Sequence, residues 1–213
     1  MKGGLFCLWR RASESFLQWQ MESAYQQFKR LCLLRGQFAV GPNAWCINLF
    51  GKDAIVVGQR VVCRGIIRCE AWSEHPRIEI GDDVYVGDDC IISCAEKVSI
   101  GSFTLLAHGV QLFDNDSHPI AASLREKDYR IVQGQQGRSF RGHILVEPIR
   151  IGSHVWIGMG SIIMKGVSIE DNSIVAAGSV VLSDVPTNCI VAGNPARVVR
   201  SIEEQDVLDT NRS

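Results

Sequence analysis

The sequence lacks an excess of charge of either sign, a long apolar run and any CxxC motif. A net charge of −1 over 213 residues gives no reason to expect a nucleic-acid partner, although residues 1–35 carry +4 and the remainder −5. The apolar stretch from Leu5 to Trp9 is too short for a signal peptide or a membrane span, so we expect a cytoplasmic protein. The length predicts one well-buried domain.

Cysteine occurs eight times, but its spacing supports neither a zinc site nor a thioredoxin-like motif. We expect the thiols to be reduced and to act as small buried hydrophobic side chains. The cysteines are Cys7, Cys32, Cys46, Cys63, Cys69, Cys90, Cys94 and Cys189.

A six-residue repeat runs through the C-terminal part of the chain. Aliphatic residues recur at strict spacing, at Ile151, Ile157, Ile163, Ile169, Val175 and Val181. Three positions after each one stands a residue that mostly belongs to types tolerating a tight bend: His154, Gly160, Gly166, Asn172, Gly178 and Asp184. This period fits neither an amphipathic helix nor long hairpin strands. It predicts a three-sided parallel coil with about 18 residues in each turn.

The same period appears earlier in the chain. It runs through Ile80, Val86 and Ile92 and, after a two-residue slip, through Ile100, Leu106 and Leu112. It continues more weakly at Val57, Cys63 and Cys69. The region from Phe38 to Ala192 therefore predicts roughly six to seven coils, once residues 113–149 are left out. Those residues break the period and predict a protruding, solvent-exposed loop.

The two ends of the chain predict helices. Residues 13–34 place apolar side chains at helical spacing, with Ser13 as N-cap, and we expect this helix to cover the open end of the coil. Contact with a membrane surface is a second interpretation of the same helix. A short helix from Ile202 to Leu208 would close the other end. The predicted organisation is an N-terminal helical segment (1–37), a coil domain with the loop 113–149 (38–200) and a C-terminal helix or tail (201–213).

Three motifs resemble the hexapeptide-repeat acyltransferases, most closely the galactoside and maltose O-acetyltransferases and the O-acetyltransferases of lipopolysaccharide and capsule. The resemblance covers residues 78–200. It implies an all-β fold, a left-handed parallel β-helix, assembly as a homotrimer and acetyl-CoA as the donor. The motifs are the run Asp114-Asn115-Asp116-Ser117-His118-Pro119 followed by Leu124-Arg125, the coil Val155-Trp156-Ile157-Gly158, and Ala192-Gly193-Asn194-Pro195-Ala196-Arg197 with Arg200.

The resemblance implies that His118 is a general base. An alcohol is a poor nucleophile at neutral pH, and an imidazole, with a reference pKa of about 6.5, can accept its proton and return it to a departing thiolate. Asp114 and Asp116 are candidates for orienting the imidazole, and either could instead form a turn. Asn115 and Arg125, from the same motif, are predicted to contact the acceptor.

The donor side of the site also follows from the resemblance. It places Trp156, the backbone of Met159, Ala177 and Ser183 along the path of the pantetheine and adenine groups, and it places Arg197 and Arg200 near the phosphates of CoA. Tight coil packing and a solvated basic end are the respective alternatives. Galactoside acetyltransferases also hold an asparagine near the acceptor. The matching region around Gly87 contains none, which leaves the identity of the acceptor open.

Other functions remain as alternatives. A γ-type carbonic anhydrase shares the coil, but the five histidines include no close pair for zinc, so we expect no metal. A sugar-nucleotide N-acetyltransferase or a xenobiotic acetyltransferase would differ only in the acceptor pocket, and a non-catalytic scaffold is a further alternative. We predict an acetyl-CoA-dependent O-acetyltransferase that acts on a hydroxyl of a sugar or polysaccharide precursor. Its acceptor would be a small-molecule or lipid-linked saccharide.

Overall fold

The computed structural model describes residues 2–134, 141 and 143–203. Its short strands form three sheets that make the sides of a triangular prism. In chain order the strands are β1 (Leu33–Leu34), β2 (Phe38–Val40), β3 (Trp45–Ile47), β4 (Ile55–Val57), β5 (Val61–Cys63), β6 (Ile66–Cys69), β7 (Arg77–Ile80), β8 (Tyr85–Val86), β9 (Ile91–Cys94), β10 (Lys97–Ile100), β11 (Leu105–Leu106), β12 (Gln111–Phe113), β13 (Ile149–Ile151), β14 (Trp156–Ile157), β15 (Ile162–Met164), β16 (Ser168–Ile169), β17 (Ile174–Val175), β18 (Val180–Val181), β19 (Cys189–Gly193) and β20 (Ala196–Ser201).

Successive strands of the chain belong to successive sheets, so each turn of the coil adds one strand to each side. Sheet A has the order β1-β4-β7-β10-β13-β16, sheet C the order β3-β6-β9-β12-β15-β18, and sheet B the order β2-β5-β8-β11-β14-β17-β19-β20. All neighbouring strands are parallel except β19 and β20, which form an antiparallel hairpin at the end of sheet B. The predicted parallel coil, with about six turns, is confirmed.

The aliphatic positions of the six-residue repeat stack inside the prism. Ile151 pairs with Ile169, and Ile163 with Val181, at the predicted spacing. All six side chains of this repeat are buried. The expected bends are confirmed at His154, Gly160, Gly166, Asn172 and Gly178, which all have a positive φ. Burying aliphatic side chains along the axis stabilises each coil against its neighbours, because apolar surface leaves water at every level.

The coils are not all equal in length. The predicted two-residue slip is confirmed, since Ile80 pairs with Ile100. Two expectations are wrong. Ile67, not Cys69, pairs with Ile92, because the connection 64–65 before β6 is two residues shorter than the connection 87–90 before β9. Asp184 has no positive φ, since the last coil is shortened and Val185 already bridges to Ile169.

The N-terminal helix, α1, extends from Lys2 to Leu31 and begins well before the predicted start. Ser13 therefore lies inside the helix and is not its N-cap. No proline interrupts the preceding residues, which include good helix formers such as Leu and Arg. Phe28 is fully buried against the first coil, with its ring centroid 5.2 Å from that of Phe38. The helix thus covers the open end of the prism.

A second helix, α2 (Ala122–Val132), lies within the segment that was predicted as a loop. This segment leaves the coil as expected, but its first part is ordered by helical hydrogen bonds. Most of the helix predicted from Ile202 to Leu208 lies outside the described residues, which end at residue 203. No helix among the described residues has both the length and the apolar character needed to cross a membrane.

The seven cysteines whose side chains the structure describes are buried and unbridged, as predicted. Burial raises the pKa of the Cys63 thiol to about 12 and that of Cys90 to about 11. These thiols stay protonated at neutral pH and act as small core side chains.

Candidate active site

The His118 segment projects from one edge of the prism, which we call the loop corner. It comprises the connections from sheet C to sheet A in successive coils: residues 48–54, 70–76, 95–96, 114–148, 165–167 and 182–184. Most corners of a regular coil are tight, but here the connections 48–54, 70–76 and 114–148 are long. The side chains of these long connections lie outside the prism, at this edge.

Polar residues fix the backbone immediately before His118. The buried carboxylate of Asp114 accepts hydrogen bonds from the backbone N–H groups of Ala95 (2.7 Å) and Glu96 (2.8 Å) in the coil below. The side-chain oxygen of Asn115 accepts from the N–H of Ser117 at 3.0 Å, and this Asx-turn accompanies the positive φ of Ser117. The turn directs His118 outward, and 62% of its side chain is exposed.

Neither aspartate predicted to orient the imidazole does so. Asp114 is occupied by the backbone of the neighbouring coil, and Asp116 forms an ion pair with Lys165 at 2.9 Å. Both anchor the turn, which was the alternative interpretation. Asn115 is also unsuited to its predicted role at the acceptor, because it is 2% exposed and its amide group is used within the turn.

The residue that holds the imidazole is Asp128, on α2. Its Oδ2 lies 2.7 Å from Nδ1 of His118, and its side chain is 1% exposed. Arg141 donates to both carboxylate oxygens of Asp128 and also to the carbonyl of Ser117, at 2.9 Å. His118, Asp128 and Arg141 thus form a connected chain of hydrogen bonds that runs from the surface into the loop.

The charge of Asp128 is set by opposing effects. Burial alone would raise the pKa of this carboxyl, but the hydrogen bonds and positive charges of Arg141 and His118 outweigh it and hold the pKa below its ordinary value. The carboxylate is therefore ionised at neutral pH and can only accept hydrogen bonds. In the neutral imidazole, Nδ1 then carries the hydrogen, and Nε2 is the nitrogen that can take up a proton.

Sequence reasoning missed Asp128 and Arg141. Both lie outside the six-residue repeat, among many charged residues of the 114–148 connection, and nothing in their spacing distinguishes them. An amphipathic reading of α2 would not have found Asp128 either, because a buried carboxylate breaks such a pattern. Arg125 of the acyltransferase motif is exposed and donates to the carbonyls of Pro119 (3.3 Å) and Ile120.

The residues predicted for the donor lie in two groups. Trp156 is half exposed on the outer face of sheet B. Met159 and Ala177 lie at the corner between sheets B and C, where the N–H of Gly178 donates to the Met159 carbonyl at 2.8 Å. Ser183, in contrast, lies at the loop corner. A Cβ at Gly158 would come within 2.5 Å of the Ala177 nitrogen, so tight coil packing accounts for part of the small-residue pattern.

A β-bulge places the two predicted CoA arginines on one face. Arg200 pairs with Ile190, and Arg197 pairs with Ala192, while the register shifts between Ile190 and Val191. In a regular strand, residues three apart point to opposite faces, and the extra residue restores the same side. Because Ile190 also pairs with Ile174, which pairs with Trp156, both arginines share the outer face of sheet B with Trp156.

Comparison with known proteins gives consistent relatives. Residues 148–183 match the family model of the bacterial transferase hexapeptide (six repeats). Nodulation protein L of Rhizobium meliloti (strain 1021) is 36% identical over 167 residues, which cover 78% of this chain and 81% of the relative. The galactoside O-acetyltransferase of Escherichia coli (strain K12) is 36% identical over 143 residues, 64% of this chain, and the match spans less than two thirds of that enzyme's length, 63%.

Among solved structures, a maltose O-acetyltransferase from Clostridium difficile 630 superimposes with a TM-score of 0.53 at 28% identity. The superposition covers 94% of this chain and 89% of that one. The chain belongs to the hexapeptide-repeat transferases, and its prism is the left-handed parallel β-helix of that family.

Proposed function

We propose that this protein transfers an acetyl group from acetyl-CoA to a hydroxyl of a sugar or a polysaccharide precursor, with His118 as the general base. The observation that carries the proposal is the 2.7 Å contact between Nδ1 of His118 and the buried carboxylate of Asp128. It fixes an exposed imidazole with its other nitrogen ready to accept a proton. The relatives that carry the name acetyltransferase support the class of reaction.

The reaction begins when Nε2 of His118 takes the proton of the acceptor hydroxyl. The hydroxyl oxygen forms a bond to the thioester carbonyl carbon, the carbon–sulfur bond breaks, and the proton passes from the imidazole to the departing thiolate. Asp128 stabilises the imidazolium that exists between the two proton transfers. Arg141 offsets the charge of Asp128, so that the carboxylate orients the ring without keeping it protonated before the acceptor arrives.

We propose a homotrimer, because one chain does not bring the expected donor residues to one place. Trp156, Arg197 and Arg200 share a face, and Met159 and Ala177 lie at its edge, whereas His118 and Ser183 lie at the loop corner. A second copy that packs its loop corner against the outer face of sheet B would bring the two groups together. The exposed Trp156 and Leu105, which pair with each other, give that face an apolar surface to cover.

For the cellular setting we propose a cytoplasmic enzyme that touches the membrane only peripherally. On α1, Phe16 and Trp19 are 56% and 65% exposed, and their rings stack on each other with centroids 5.9 Å apart. Aromatic side chains of this kind suit the interfacial region of a lipid bilayer. Such contact would bring the enzyme to lipid-linked saccharides.

The His118→Ala variant tests the proposed function. Acetylated product should form about 10² to 10⁴ times more slowly, the usual range for losing a general base, while the thermal midpoint and the affinity for acetyl-CoA stay as in the wild type. Product must be measured directly, because acceptor-independent thioester hydrolysis also releases thiol. A variant that retains more than about a tenth of the wild-type rate, under about 1.4 kcal/mol of barrier, would show that His118 is not the base.

A further inference from the structure

A cavity of about 240 Å³ lies at the loop corner, next to the hydrogen-bonded chain that ends at His118. The cavity exists because the connection 95–96 is short, whereas the connections in the preceding and following coils, 70–76 and 114–148, are long. Residues 70–76 extend outward from the coil below, and Arg141, Ile144 and Val146 from the coil above, while Ala95 and Glu96 form the floor between them. The main lining side chains are Trp72, Glu74, His75, Glu96, Arg141 and Ile144.

Arg141 connects this cavity with the proposed base. Its guanidinium lies over the Trp72 ring, 5.2 Å from the centroid, and the same group holds Asp128. A ligand in the cavity would thus lie one side chain away from the His118–Asp128 pair. The volume is below the roughly 300–1,000 Å³ of a pocket for a drug-sized ligand, and it suits one sugar ring.

A second cavity, of about 370 Å³, continues the first one toward the N-terminal coils. Glu74 and His75 line both cavities, so the two form one groove along the loop corner. Phe50 and Asp53 line its far part, together with Arg77, which is paired with Glu79 at 2.7 Å. A groove of two ring-sized cavities in line fits a chain of sugars better than a single small alcohol.

The chemistry of the lining favours saccharides without negative charge. Aromatic side chains pack against the C–H faces of sugar rings, and carboxylates accept hydrogen bonds from their hydroxyls. Within the described residues, the carboxylates of Glu74, Glu96 and Asp53 have no ion-pair partner. Of the two nearby arginines, Arg141 is paired with Asp128, and Arg77 shares the single charge of Glu79 with Lys97. One positive charge therefore remains against the three carboxylates. A uronic acid or a sugar phosphate would therefore be repelled, and an amino sugar attracted.

We infer that this groove binds two consecutive rings of the acceptor saccharide and selects rings that are neutral or carry an amino group. The inference rests on the proposed function, because it concerns the acceptor of that reaction. It adds an acceptor subsite made by residues 48–54 and 70–76, outside the His118 motif.

Binding without donor tests the groove independently of catalysis. Titration calorimetry on the full chain with glucosamine, glucose and glucuronic acid should give affinities in that order, and the β-1,4-linked dimers of glucosamine and glucose should bind more tightly than the monomers. The Glu74→Gln/Glu96→Gln double variant should lose the preference for glucosamine over glucuronic acid by about tenfold. Glu170→Gln, an exposed glutamate outside the groove, is the matched control and should change nothing.

Variants of Trp72 test whether its aromatic ring packs against a sugar ring in the groove. Trp72→Ala should weaken glucosamine binding about tenfold, and Trp72→Phe should restore most of it, since one aromatic face remains. Equal affinity for glucuronic acid and glucosamine, or no sugar binding up to about 10 mM, would overturn the groove. If sugars bind in the expected order but no acetyl transfer is found, the groove stands and the proposed function fails. If His118-dependent transfer occurs while the Glu and Trp variants leave sugar affinity unchanged, the function stands and the groove fails.

Discussion

The coils from β13 to β18 and the loop corner contrast with each other within one prism. In the coils, every position of the six-residue aliphatic repeat is buried, and Ile151, Ile157 and Ile163 each pair with the residue 18 positions further on. At the loop corner, the connection in one coil is residues 95–96 and in the next is residues 114–148. The buried side chains there include polar groups with hydrogen-bond partners, such as Asp114 and Asp128.

The difference teaches where this fold keeps its chemistry. The repeated coils supply a rigid axis, because each coil is hydrogen-bonded to both neighbours and buries one aliphatic layer. The corner lies outside that stack, so its residues can change without disturbing the repeat. Functional side chains are therefore carried on loops that a rigid scaffold positions.

The Asp128→Asn variant should have the largest effect, because it changes the chemistry of the loop corner and leaves the coils intact. Because Arg141 donates to both carboxylate positions, the amide oxygen of the new side chain should face Arg141 and its NH2 group should face His118. Nδ1 would then have to accept, the imidazole hydrogen would move to Nε2, and turnover should fall about 10² to 10⁴-fold. The initial rate of acetylated product measures it.

Asp116→Asn is the matched control for this prediction, because it removes the aspartate that the motif suggested. Its carboxylate contacts Lys165, not the imidazole, so turnover should change by less than about threefold. If Asp128→Asn keeps more than about a third of wild-type turnover, or if Asp116→Asn loses as much, Asp128 does not orient the base.

A substitution inside the coils tests whether stability depends on the aliphatic core rather than on the loop corner. Ile163 is fully buried between Leu112 and Val181, and Ile163→Ala should lower the free energy of unfolding by about 2–5 kcal/mol. Denaturant unfolding measures this loss. The loop variant His118→Ala should leave the unfolding curve in place, and an equal loss in both variants would show that corner and coil are not separable.

Arg141→Gln sharpens the electrostatic side of the corner. Without the guanidinium, the buried carboxylate of Asp128 is uncompensated, and the His118–Asp128 pair holds a proton more tightly. The acidic limb of the turnover profile should move to higher pH, since the base must be free of that proton to act. His143, whose Nε2 lies 3.9 Å from Asp128, and Asp116, paired with Lys165, are the other titratable groups near the pair.

Arg141→Lys keeps a positive charge beside Asp128 and should restore most of the wild-type pH profile. The two profiles are compared with saturating donor and acceptor. An acidic limb that stays at the wild-type pH in Arg141→Gln would contradict the charge-compensating role, whatever the effect on overall rate.

The smallest expected effect concerns the regular end of the prism. Arg197→Ala with Arg200→Ala should raise the Michaelis constant for acetyl-CoA about five- to tenfold with little change in turnover, because such contacts bind ground and transition states alike. Arg150→Ala, an exposed arginine on sheet A, is the control. With the acetyl thioester of dephospho-CoA as donor, the Michaelis constant of the variant should exceed that of the wild type by a smaller factor. If this factor is the same for both donors, the two arginines do not contact the 3′-phosphate.

The repeat could be predicted because it is local and periodic. Each inward Ile or Val is needed at its own level of the prism, so the spacing of six in the chain directly reports the three sides in space. The same reasoning explains the two wrong expectations, at Cys69 and Asp184. In both places a connection has a different length, so a spacing of six in the chain no longer corresponds to one side of the prism. Ile67 therefore takes the ladder position expected for Cys69, and Val185 pairs with Ile169 in a shortened coil.

The sequence by itself determined the three-sided coil, the burial of the cysteines, the helix at the open end and the place where the His118 segment leaves the coil. Only the tertiary structure decided which carboxylate faces the imidazole. Asp114, Asp116 and Asp128 are the same residue type in one polar segment, and their roles differ because α2 folds back and brings Asp128 and Arg141 beside His118. Such contacts depend on the path of the chain through space, which a spacing along the sequence does not encode.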